Sequence, residues 1–216
     1  MKQILSEIDK KLLNERLKEA ESKTGAQIVL ATTGRSDSYP EIPWKAFAFG
    51  ASVAGLAVFV LDLIMRLWIT DTTILLMVAA ILVSGSLYAI LTLFFQGFAR
   101  LFASGIRMEA ETLQYAESVF ISNELFATAG RRGVLVLISR FERRVVIIPD
   151  TGVRDRLNTD VLKNIIEKMT KPLKDREVRK ALETGLDELI QAIRPPLHEG
   201  KGKEELPDKI LEGETK

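Results

Sequence analysis

Apolar positions along this chain fall into three patterns, and each predicts a different kind of element. The first has helical spacing: Ile4, Leu5, Ile8, Leu12, Leu13, Leu17 and Ala20 share one face. Ser6 followed by Asp9 forms a capping box in sequence, and Gly25 is the natural stop. The same spacing recurs in Ile106, Ala110, Leu113, Ala116 and Phe120, with no clear break from the apolar run before it except Gly105. It recurs again in Val161, Leu162, Ile165, Ile166 and Met169 behind an Asn158-Thr159-Asp160 cap, with Pro172 expected to break the pattern. A last stripe, Val178, Leu182, Leu186, Leu189, Ile190 and Ile193, runs up to Pro195-Pro196.

The second pattern is short and continuously apolar. Ala26–Thr32, Val134–Ile138 and Val145–Ile148 lack polar alternation, which marks strands covered on both faces. The last two are joined by the charged turn Arg140-Phe141-Glu142-Arg143 and read as a β-hairpin. A helical crossover separates Ala26–Thr32 from Val134–Ile138, so those two strands are expected to be parallel and right-handed. The fold class is therefore α/β: a small mixed sheet between helical layers, an α/β/α sandwich.

The third pattern is long enough to span a bilayer, which takes about 20 residues. Ala46–Ile69 contains only Asp62 and Arg66 as charges, and Thr72–Phe98 contains none. The link around Thr70-Asp71 is short, so the pair reads as a transmembrane hairpin inserted into the α/β domain. The organisation is then 1–39 plus 106–194 as one discontinuous domain, 46–98 as two spans, and 195–216 as a disordered tail rich in Gly, Lys and Glu. Residues 1–39 alone cannot bury a core, which argues against a separate domain there. Arg35, Lys45, Arg100 and Arg107 flank the outer ends of the spans and only Arg66 lies between them. That asymmetry predicts both termini and the soluble domain in the cytoplasm. Asp62 and Arg66 lie one helical turn apart and can pair while Arg66 snorkels; the sharper alternative is an ion pathway, requiring oligomerisation.

Composition narrows the chemistry. The 216 residues include no cysteine and one histidine, His198, in the tail, which disfavours thiolate and imidazole catalysis and zinc sites built on those ligands. A formal net charge of +1 gives no global attraction to nucleic acid. What remains is Asp/Glu, Arg/Lys and Ser/Thr. Asp150 closes the second hairpin strand, where a carboxylate can act as phosphoryl nucleophile or Mg²⁺ ligand; the plainer reading is a turn accepting local backbone bonds. Arg131 and Arg132 lie at the same end and can grip a phosphate, or be solvated or meet anionic headgroups. Arg143 and Arg144 lie at the other end, and Thr32, Thr33 and Ser36 end the first strand. There is no Asp-x-Asp after Asp150, and no Walker loop, GxGxxG, HExxH or EF-hand pattern.

The segments TGAQIVLAT, ELFATAGRRGVLVLIS and ERRVVIIPDTGV, in that order and spacing, resemble the TPM domain (the TPM-phosphatase family). The resemblance covers about Leu5–Thr33 and Ala110–Arg194. It implies an α/β/α sandwich, commonly membrane-anchored, with phosphatase activity or divalent-metal binding in some members and assembly or repair of membrane complexes in others. One departure matters: many members carry Asp-Asn-Gly where this chain has Arg131-Arg132-Gly133. A basic pair does not ligate a cation. The expectation is thus an interaction or membrane-complex assembly module in contact with the lipid bilayer and other membrane proteins. The alternative the resemblance implies is a phosphatase dependent on Mg²⁺ or Ca²⁺, using Asp150.

Overall fold

The computed structural model describes residues 5–65, 70–194 and 210–213. Arg66 lies outside them, as do Ile4, Pro195-Pro196, His198 and most of the tail, and with them the Asp62–Arg66 pairing. The chain divides into two units, Met1–Asp37 with Glu109–Lys216, and Ser38–Met108.

In the first unit, α1 (Glu7–Thr24) starts on the expected capping box. Ser6 Oγ accepts from the Asp9 amide while the Asp9 carboxylate accepts from the Ser6 amide. The Ser6 hydroxyl, which donates to the Asp9 carboxylate at 2.7 Å, and then the Ser6 amide hold the Asp9 carboxyl below its ordinary pKa range. Gly25 ends the helix in the left-handed conformation, at φ +66°. Strand β1 (Gln27–Thr33) then pairs in parallel with β2 (Gly133–Ser139), and β2 pairs antiparallel with β3 (Arg144–Pro149). A short fourth strand, β4 (Ile210–Gly213), runs parallel along Leu30–Thr33, giving the order β3-β2-β1-β4. Residues 210–213 thus form strand where low complexity predicts unstructured tail; the exposed edge of β1 offers backbone partners that composition does not show.

Side chains alternate cleanly between two cores. Ile28, Leu30, Val134, Val136, Ile138 and Ile147 face α1, α6 (Thr159–Lys174) and α7 (Val178–Ile193). Val29, Ala31, Leu135 and Leu137 face α5 (Gly105–Ser122) through Ala116, Tyr115, Val119 and Phe120. The result is a three-layer α/β/α arrangement, with strands apolar on both faces because both are covered. Pro172 lies inside α6 and does not break it: it sits in the last turn, where one lost amide bond is tolerated, and the helix ends at Lys174.

The second unit is a helical hairpin. Helix α2 (Glu41–Met65) starts before the apolar run, since Pro43 fits a first turn, and α3 (Asp71–Phe94) begins on a Thr70 cap. Both are long and apolar enough to cross a membrane, and only 6% of each one's most apolar stretch is buried. They approach closely at two glycines: a Cβ on Gly50 would lie 2.8 Å from the Tyr88 ring, and one on Gly85 2.9 Å from Phe47. Ser84 Oγ donates across the pair to the Gly50 carbonyl at 3.2 Å. Helix α5 does not continue α3. Phe95 and Ala103 are extended, and between them lie the single turn α4 (Gln96–Ala99) and a 3₁₀ turn, Arg100–Phe102. At the unit's two ends Glu41 and Arg107 form an ion pair at 2.9 Å, and the Arg107 guanidinium lies 5.7 Å from the Tyr39 ring centre.

Two glycines in the first unit separate backbone need from packing convenience. A Cβ on Gly133 would meet the Leu125 carbonyl oxygen at 2.4 Å, while one on Gly185 would meet the flexible Met169 side chain at 2.8 Å. Gly133→Ala is therefore expected to lower the melting temperature by many degrees and Gly185→Ala by only a few, with thermal unfolding followed by circular dichroism as the check.

Candidate functional site

The base of the β2–β3 hairpin is where the sequence places its polar candidates, and the chain there is locked by backbone geometry. Gly130 and Arg131 both have positive φ, +68° and +54°. Thr128 accepts from the Arg131 amide through its carbonyl and from the Arg132 amide through Oγ1. The Asp150 amide donates to the Gly133 carbonyl, closing the hairpin, and the Gly152 amide donates to the Arg131 carbonyl, both at 2.8 Å. Gly152 must be glycine for that approach: a Cβ would sit 2.1 Å from the Gly130 carbonyl oxygen.

This frame brings Arg131 onto Asp150. The carboxylate, 4% exposed, accepts from Arg131 Nη2 through Oδ1 at 2.9 Å and from Arg131 Nε through Oδ2 at 3.1 Å. Oδ1 also accepts from the Thr151 amide at 2.7 Å. A bidentate pair of this kind is stronger and more directional than a single neutral hydrogen bond, though the Arg131 side chain is 56% exposed. The Asp150 hydrogen bond and then its charge raise the pKa of the guanidinium. Arg132 does not join them; its carbonyl accepts from the Gln27 amide and so ties β1 to the hairpin base. The reading of Asp150 as a turn residue and the reading of it as part of a charged cluster thus describe one feature.

A second polar constellation lies at the other end of the sheet, where β1 and β2 finish. Glu142, in the charged turn between β2 and β3, is 5% exposed. Its Oε1 accepts from the Ser36 amide at 2.9 Å and its Oε2 from Ser139 Oγ, while Ser36 Oγ donates to Ser139 Oγ at 3.2 Å. The Arg35 guanidinium lies 4.2 Å from the Phe141 ring centre. Glu142 therefore staples the exit of β1 to the hairpin turn. The only sequence signal was a carboxylate three residues after Ser139, too common to single out. Arg144 pairs with Glu109 at 3.2 Å, Thr33 Oγ1 donates to the Arg35 carbonyl, and Asn158 caps α6. Thr32 is buried in the sheet.

Neither constellation is a metal cage. Among the described residues no three His, Cys, Asp or Glu side chains come together in a way that would hold an ion. At Asp150 both oxygens already face a cation supplied by the protein.

Comparison with known proteins fits this architecture. The family model described as TPM domain matches residues 105–192, from the start of α5 almost to the end of α7. The match leaves out α1, β1 and the helical hairpin. The NMR structure of the BA42 protein from the psychrophilic bacterium Bizionia argentinensis shares the fold, with a TM-score of 0.57 at 14% identity over 99% of this chain and 98% of that one. No curated protein matches the chain.

Asp150→Ala is expected to lower the melting temperature by several degrees, because it leaves the Thr151 amide and the Arg131 guanidinium without their acceptor. Asp150→Asn should lose less, keeping one carbonyl acceptor for the Thr151 amide. Paired thermal melts in one buffer make the comparison.

Proposed function

We propose that this protein is a membrane-anchored TPM-domain protein whose α/β/α unit works as an interaction or membrane-complex assembly module. The observation that carries the reading is the Arg131–Asp150 pair. Arg131 stands where the family resemblance leads one to expect an acidic ligand, and its guanidinium occupies the carboxylate that a divalent ion or a phosphoryl group would need. A metal-assisted hydrolase requires an ion with open coordination positions, held by several oxygen ligands. The residues around Asp150 do not fit Mg²⁺ or Ca²⁺.

Anchoring rests on α2 and α3. Their apolar side chains, such as Leu56, Phe59, Ile64, Leu75 and Val83, are exposed along the hairpin, which suits lipid and not water. The basic excess outside the hairpin, Arg35, Lys45, Arg100 and Arg107, supports a cytoplasmic α/β/α unit.

A phosphatase assay of the full chain with p-nitrophenyl phosphate and Mg²⁺, Mn²⁺ or Ca²⁺ is expected to give turnover no higher than Asp150→Asn; metal-dependent activity abolished by that substitution would overturn the assembly reading in favour of the phosphatase. Topology has its own check in a chain without native cysteine. A cysteine at Thr70 should be labelled by an impermeant maleimide in intact cells, and one at Glu19 only after permeabilisation. The reverse pattern would invert the orientation.

A further inference from the structure

The sheet has two edges, and the structure treats them differently. β4 covers the Leu30–Thr33 edge of β1, while no strand among the described residues covers β3. Which backbone groups β3 offers follows from its register. The Asp150 amide bonds the Gly133 carbonyl, so Gly133↔Asp150 is a hydrogen-bonded pair. Such pairs alternate along an antiparallel ladder. With Leu135↔Ile148 and Leu137↔Val146 next in phase, Ile148 and Val146 bond β2, while Val145 and Ile147 turn their N–H and C=O groups outward. Pro149 also points outward but has no N–H.

Beside this edge runs a groove of about 440 Å³ between two helical layers, with Leu113 of α5 on one side and Leu157 and Leu162 on the other, above Ile147 and Ile148. Leu113 is 45% exposed there. Glu117, Arg154, Asn158 and Thr159 complete the lining, and the backbone register of β3 suits it to pair with a second copy of itself. Two copies of β3 set antiparallel about Val146 place Val145 opposite Ile147 of the second copy. Every outward N–H of both residues then finds a carbonyl. Shifting the register by two residues toward Pro149 still gives each outward N–H a carbonyl but leaves the Val145 carbonyl facing a proline with no N–H, and shifting it the other way sets Arg143, in its left-handed turn, opposite Ile147. In the central register Pro149 falls beyond the ladder, opposite Arg143. The side-chain pairs are also self-compatible: Val146 meets Val146, Val145 meets Ile147, and Arg144, already paired with Glu109, meets Ile148 with no like charge across the axis.

We propose that β3 is a homodimerisation edge, joining the sheets of two copies through a two-fold axis at Val146. The proposal goes beyond the assembly reading and does not depend on Asp150.

Because the chain has no cysteine, a single Val146→Cys substitution reports on the axis directly. Residues facing each other in a non-hydrogen-bonded pair have Cα atoms about 4.5 Å apart, within disulfide reach. Full-length Val146→Cys in detergent micelles is expected to form mostly disulfide dimer on mild oxidation. Ile148→Cys, on the same face but opposite Arg144, should give several-fold less, and Arg144→Cys/Ile148→Cys should restore it. Val145→Pro, which removes an outward donor and no bond to β2, should shift the uncrosslinked chain to monomer in light scattering while circular dichroism stays native. Val146→Cys crosslinking no better than Ile148→Cys overturns the proposal. So does a wild-type chain that stays monomeric across the concentration range, or a folded Val145→Pro chain that remains dimeric.

Discussion

The Arg131–Asp150 pair is the constraint around which the α/β/α unit closes. A two-stranded hairpin is marginal by itself, and its open end frays unless tied. Here the tie joins the residue that enters β2 to the residue that leaves β3, with Gly130, Arg131 and Gly152 in contact backbone to backbone. Because the Arg132 carbonyl also accepts from Gln27, the same few residues set the start of β1 against the start of β2. The ion pair and this neighbouring backbone bond thus tie the antiparallel and the parallel pairings at the same end of the sheet. Glu142 does the equivalent work at the other end with neutral hydroxyls and an amide.

That economy has a functional consequence. A carboxylate facing an open cleft is available for chemistry, whereas one gripped by a guanidinium is already neutralised, and dislodging the arginine would undo the turn. This scaffold holds its hairpin base with an internal cation. The periphery carries an apolar helical hairpin, and a sheet edge of Val145 and Ile147 with a groove of mixed polarity beside it.

The layers were legible in the sequence because burial on both faces leaves a simple trace, the unbroken runs at Val134–Ile138 and Val145–Ile148. The α1 cap was legible for a similar reason: Ser6, Asp9 and Gly25 act locally. Less was visible where the decisive feature is tertiary. A non-glycine residue at positive φ, as at Arg131, has no compositional marker, so two arginines beside an aspartate suggested a cluster but not the two-pronged lock or the exclusion of Arg132. The role of Glu142 was not visible because its partners, Ser36 and Ser139, are brought together by the β1–β2 pairing. β4 was hidden since its four residues gain their order from the β1 edge. Phe95 and Ala103, which part α3 from α5, carry no breaker residue at all.

The central claim is that Arg131 supplies the positive charge at Asp150 and leaves no divalent-ion site there. Calorimetric titration of the full-length chain with Ca²⁺ and with Mg²⁺, alongside Asp150→Asn, tests it most directly. The account predicts no saturable heat at millimolar ion in either protein. A stoichiometric binding isotherm in the native chain that disappears in Asp150→Asn would contradict it.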